Sequence, residues 1–148
     1  MKGFGGFAMT EMTERRAAAA LLILRVSLGI FLLQWGVEKF VIPEAAIRIG
    51  QNFYGVALSG IIVVILGAAE TLVALALLFG VYRRWSYGAA ALIHAVSVLA
   101  TWRQLMNPYG AAQNHLFIAG VPVLAAFILL YMLREWDAYS LEGWRKAR

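Results

Sequence analysis

The sequence contains no cysteine. Disulfides, thiolate metal ligands, iron–sulfur ligation and thiol–disulfide chemistry on the chain's own residues are thereby excluded. Histidine is scarce as well: two residues on separate apolar stretches make no spaced ligand pair, so no metal site is expected. Charge is a third shortage, at 14% of residues, where a soluble globular domain carries about 25%. The charges sum to +5 but are dispersed around apolar spans, with no basic face. That argues against nucleic acid and for a membrane surface.

What the chain has in excess is apolar surface, with 62% hydrophobic residues. A bilayer core takes roughly 20 apolar residues as a helix. Four segments qualify, at about 17–40, 55–81, 85–105 and 115–133. Between Gly60 and Phe79 only Glu70 and Thr71 interrupt the run, which leaves no stripe to face water. Arg15 and Arg16 before the first run imitate a secretory signal. That run, however, reaches about Phe40 and contains Arg25, so a retained span is expected. Pro43 opens the first connection, Tyr82-Arg83-Arg84 forms a tight second one, and Asn107-Pro108-Tyr109-Gly110 turns the third. The expected fold is all-α, a four-helix antiparallel transmembrane bundle in a single domain, 1–148. The region of Gly3, Gly5 and Gly6 reads as a flexible tail, and residues 134–148 as a cytoplasmic amphipathic tail or a frayed end.

Orientation follows from Lys and Arg. Nine lie on one side (Lys2, Arg15, Arg16, Arg83, Arg84, Arg134, Arg145, Lys146, Arg148), against Lys39, Arg48 and Arg103 on the other. The richer side is cytoplasmic, with both termini there, in a multi-pass protein of a bacterial-type cytoplasmic membrane. Tyr82, Trp85, Tyr131 and Trp136 fall at the inner boundary; Phe40, Tyr54, Trp102 and Tyr109 fall at the outer one.

Ionisable groups inside a membrane usually face protein and find partners. Counted from the expected inner boundaries, Arg25, Glu70 and His94 lie roughly 12–17 Å deep, in one layer. Ser27, Thr71 and Ser97 share that level. So does Pro122, whose ring would leave the Ile118 carbonyl without a helical partner. Arg25 and Glu70 are the expected ion pair. The layer has two readings. It is either a structural pin between helices, or a site where Arg25, Glu70 and His94 hold a quinone head group or relay protons. Tyr87, His94, Ser97 and Thr101 form a polar stripe on the third span. On the first, Ser27, Gln34 and Glu38 oppose Arg25, Gly29 and Gly36. A second cluster gathers at the outer mouth: Gln34, Glu38, Lys39, Arg103, Gln104, Asn107, Asn114 and His115. It is either an interfacial rim or a surface for a substrate or partner.

Two strings have a family look. Leu24-Arg25-Val26-Ser27-Leu28-Gly29, continuing to Trp35-Gly36-Val37-Glu38-Lys39-Phe40, resembles the first helix of the DoxX family. Gly67-Ala68-Ala69-Glu70, with Leu77, Gly80 and the following basic pair, resembles its second. The likeness runs from about Leu21 to Leu133. Near the end the family's Gly-Pro-Gly turn is missing, and Asp137-Ala138-Tyr139-Ser140-Leu141-Glu142 only echoes its Ser-Leu-Asp element. The resemblance implies four spans with cytoplasmic ends and carries over Arg25, Gly29, Gly36, Lys39, Gly67 and Glu70. It also implies company: quinone-coupled thiosulfate oxidation, redox-stress complexes or methylamine metabolism in some members, and receptor assembly in related four-helix proteins.

Three functions stay open. The first is a quinone-interacting subunit of a membrane redox system, an oxidoreductase component that takes its electrons from other redox subunits or a bound cofactor. The second is a non-catalytic assembly or scaffold protein. The third is a small-solute transporter formed as a homo-oligomer.

Overall fold

The computed structural model describes residues 4–109 and 115–146, with side chains for 11–109 and 115–145. Lys2, Gly3, Gly110, Asn114 and Arg148, and the side chain of Lys146, lie outside the described residues. The described residues form helices and connections, with no strand among them. Helix α1 is Phe4–Val41, α2 Pro43–Ile49, α3 Gly60–Phe79, α4 Arg83–Ala100, α5 Trp102–Met106, α6 Gly120–Met132 and α7 Leu141–Lys146. A π-helical turn, Gly50–Tyr54, follows α2; 3-10 turns at His115–Ala119 and Arg134–Trp136 flank α6. Gly5 and Gly6 are therefore helical, and the flexible tail expected there is not seen.

The breaks have local causes. Pro43 disfavours helical backbone at Ile42, which turns to φ −137°, ψ 66°, and then serves as the first residue of α2. The Ser59 hydroxyl accepts from the Ile62 amide and caps α3. At the other end of α3, Gly80 adopts φ 65° and satisfies the last carbonyls through Gly80 N–Leu77 O and Val81 N–Ala76 O bonds of 3.0 Å each. The second connection is thus Gly80–Tyr82, and Arg83 and Arg84 open α4. Pro122 sits in the first turn of α6 and not mid-helix, where its missing N–H leaves no bond unmade.

Three helical segments are long and apolar enough to cross a membrane: Glu11–Val41, Gly60–Phe79 and His115–Met132. The expected third span breaks at Thr101 into α4 and α5, and α4 is less apolar than the others. The long helices touch in a ring, α1 to α3 to α4 to α6 and back to α1. Ile23, Ile61, Leu72 and Leu92, from three of these helices, are each more than 60% exposed. Apolar surface on that scale needs lipid as its solvent.

The closest pair is α1 and α3, running in opposite directions. A Cβ on Gly29 would lie 3.1 Å from the Leu78 backbone, one on Gly36 2.9 Å from the Thr71 amide nitrogen, and one on Gly67 3.2 Å from the Gly36 carbonyl. Small residues let backbones approach in the absence of a hydrophobic drive between helices. Gly36→Ala is expected to lower the thermal unfolding midpoint in detergent, by about 1–3 kcal/mol of overpacking. Gly60→Ala meets nothing within 4 Å and should leave it unchanged. Equal midpoints would show that this contact does not limit stability.

Candidate functional site

The α1–α3 register separates the charges that sequence counting had joined. Arg25 lies below the end of α3 and donates to the Leu78 carbonyl, while Glu70 sits near the other end of α1. The expected Arg25–Glu70 pair does not form. Arg25 is 3% exposed, with Nε 2.9 Å from Asp137 Oδ2 and Nη2 donating to the Tyr139 carbonyl at 3.0 Å. Tyr87 donates to the same carboxylate oxygen at 2.6 Å, and Arg83 Nη1 donates to the Asp137 carbonyl at 2.9 Å. Glu142 Oε2 accepts from the Arg83 amide, and Ser140 packs where Gly80 has no Cβ. The segment after α6 is therefore no single amphipathic helix. It folds under the bundle end and buries Asp137 completely.

Glu70 pairs with Lys39. The Lys39 Nζ donates to Glu70 Oε2 at 2.6 Å and to the Trp35 carbonyl at 2.9 Å, the two side chains being 19% and 12% exposed. This pair lines a cavity of about 730 Å³ bounded by α1, α2, the π turn, α3, α4 and the 3-10 turn before α6. Phe31, Trp35, Phe53 and Phe117 contribute aromatic walls. The polar groups are few: Glu38, the Lys39–Glu70 pair, His94, Ser97 and Thr101, with Tyr54 donating to Ser97 Oγ at 3.1 Å.

His94 is 8% exposed and packs edge-on against Phe31 and at a tilt against Phe127, 5.4 and 5.3 Å between ring centres. Its Nε2 bonds to the Gly120 carbonyl at 3.0 Å. A carbonyl can only accept, so Nε2 carries a proton, and in the neutral form of the ring the lone pair lies on Nδ1. Ser97 and Thr101 turn their hydroxyls back to carbonyls of α4, which quiets them inside an apolar wall.

Of the expected layer, Glu70 and His94 meet in one cavity and Arg25 belongs to a separate cluster. Ser27 is exposed, bonded to the Ile23 carbonyl. Of the outer-mouth cluster, Glu38 and Lys39 enter the cavity wall. Arg103 instead stacks on Trp102 at 5.6 Å, and His115 meets Tyr109 at 5.3 Å, both exposed. Asp137 was not among the expected site residues. It is one of three carboxylates, with Glu135 and Glu142, in a tail rich in aromatics, and nothing in the sequence singles it out.

Two predictions follow from partners that cannot be exchanged for water. Arg25→Ala leaves a buried carboxylate without its cation, a loss of about 3–5 kcal/mol. Amide hydrogen exchange should rise across 134–146 and stay low in the middle of α3; unchanged exchange in that segment would refute the docking role. Lys39→Ala should lower stability by about 3 kcal/mol, and the double change Lys39→Ala/Glu70→Ala by less, since no orphan charge remains. Thermal melts of the cycle read this directly, and strictly additive losses would deny the coupling.

The geometry agrees with what comparison returns. No curated protein and no solved structure matches the chain. The DoxX family model matches residues 20–104, more than half of it, taking in α1 from Ala20, α3, the Lys39–Glu70 pair and His94. The chain, a multi-pass integral membrane protein, belongs to the DoxX family.

Proposed function

We propose that the protein is a quinone-binding subunit of a membrane redox system, crossing the bilayer four times with both termini cytoplasmic. The fourth crossing is α4. Its low apolarity comes mainly from Arg83 and Arg84 at its start and then from Ser86, Tyr87, His94 and Ser97, each of these four bonded within the protein, while Leu92 and Leu99 are exposed. Polar residues that lipid never meets do not prevent a span. The cytoplasmic assignment rests on the excess of Lys and Arg at the Arg25–Asp137 end.

One observation carries the ligand class: a cavity of about 730 Å³ with apolar and aromatic walls and few polar groups among them. Small-molecule sites typically have about 300–1,000 Å³ and a few placed polar groups. A quinone ring has that profile, flat and apolar with carbonyl oxygens at its ends. Lys39 retains a third N–H to offer one oxygen, and His94 or Glu70 stands ready to take or give a proton. The quinone would supply the redox chemistry, with electrons arriving from partner subunits. Arg25, fully engaged elsewhere, is not part of this site.

A non-catalytic scaffold is the second reading, favoured by the Arg25–Asp137 cluster, whose bonds all serve packing. The two readings separate by mass spectrometry of quinone retained after gentle detergent extraction, scaled to co-extracted lipid. Wild type should hold quinone above the lipid ratio, and Glu70→Gln and His94→Ala should lose it. Retention no greater than that of bulk lipid, or equal in all three, would leave the scaffold.

A further inference from the structure

We propose that the cavity is entered sideways from the acyl chains, through a window between α3 and α4, and that its ligand is a neutral head carrying a long apolar tail that leaves by this window. The inference rests on the quinone reading for the head and adds the route and the tail.

Three observations carry it. Leu66 on α3 and Leu92 and Val96 on α4 line the cavity, yet they are 44%, 66% and 45% exposed. The cavity therefore reaches the outside of the helical body between those helices. The window has a frame. Gly80–Tyr82 ties α3 to α4 at one end, and the Tyr54–Ser97 bond of 3.1 Å draws the π turn against α4 at the other. The opposite side, between α1 and α6, is walled by aromatics, with Phe31 5.4 Å from His94 and 6.4 Å from both Trp35 and Phe127. The α3–α4 side thus offers a tail an apolar way out, framed at both ends.

Charge selects the head. Lys39 is already neutralised by Glu70, and Glu38 adds a second carboxylate to the wall. A fatty-acid or phosphate head would meet excess negative charge in a poorly hydrated space, which costs more than in water. A neutral oxygenated ring meets one donor and two proton-exchanging groups.

The test is binding to the full chain in lipid nanodiscs, read by quenching of tryptophan fluorescence, with Trp35→Phe identifying the reporter in the cavity wall. The probes are a decyl-tailed benzoquinone and the same ring without a tail. Narrowing the window with Leu66→Phe/Leu92→Phe should weaken the tailed compound about tenfold and the tailless one by less than about twofold. Leu99→Phe adds the same bulk to an exposed α4 position outside the cavity and should change neither. Equal weakening of both compounds by the window variant, or weakening of neither while wild type binds both, overturns the window and leaves quinone binding standing. If wild type binds neither compound, the quinone reading itself fails, and the window with it.

Discussion

The contact between α1 and α3 sets everything else. Gly29, Gly36 and Gly67 remove the side chains that would hold the two backbones apart. In lipid, where apolar groups gain nothing by leaving their surroundings, such close packing is the main force that joins helices. It also fixes register. With Gly36 against Thr71, Lys39 falls beside Glu70, and Arg25 is carried past the last turn of α3. A slip of one helical turn would strand each charge against an apolar wall. The same register that packs the helices thus chooses the ion pairs.

The two charged groupings answer the same constraint in different ways. At the Arg25 end the buried charges are absorbed: Arg25, Arg83, Asp137 and Glu142 bond to one another and to backbone groups. Helix C-termini leave carbonyls without partners, and the Leu78 carbonyl takes its donor from Arg25. At the Lys39 end the pair is compact but faces open volume, so its spare hydrogen-bonding capacity is directed at a ligand-sized space. Burial of an ion pair is weak evidence for stability in itself. Here one group is consumed in closing the fold and the other is left with something to offer.

Much of this was legible in the residues, and what was not has a physical reason. Apolar length marked α1, α3 and α6, Pro43 marked the first break, and the glycine and charge strings marked the family. The Arg25–Glu70 pairing failed because depth was counted from Ala17, where the apolar run begins. α3, however, ends beside Arg25, at Leu78 and Phe79, because α1 starts at Phe4 and runs well past the end of α3. Hydropathy reports where a helix tolerates lipid, and carries nothing about register between helices. Lys39 looked like an interfacial lysine for the same reason, as the π turn and α2 that cover it are built from sequence that reads as a loop. Asp137 was invisible because its value lies in partners far along the chain.

Apart from the Arg134–Trp136 turn and the segment that follows it, the irregular backbone of the described residues gathers at one end. The break at Ile42, the π turn, the bend at Thr101 and the 3-10 turn before α6 all lie at the end of the helices where the cavity opens. At the opposite end α3 and α4 are closed by three residues and sealed by hydrogen bonds. In a bilayer, backbone released from a helix must be bonded by the protein or line a cavity. A chain this short could have kept four unbroken rods. That it interrupts three of them toward one end, beside Phe31, Trp35, Phe53 and Phe117, His94 and the Lys39–Glu70 pair, leaves a cavity where unbroken rods would have packed, and that space is what the proposed ligand would use.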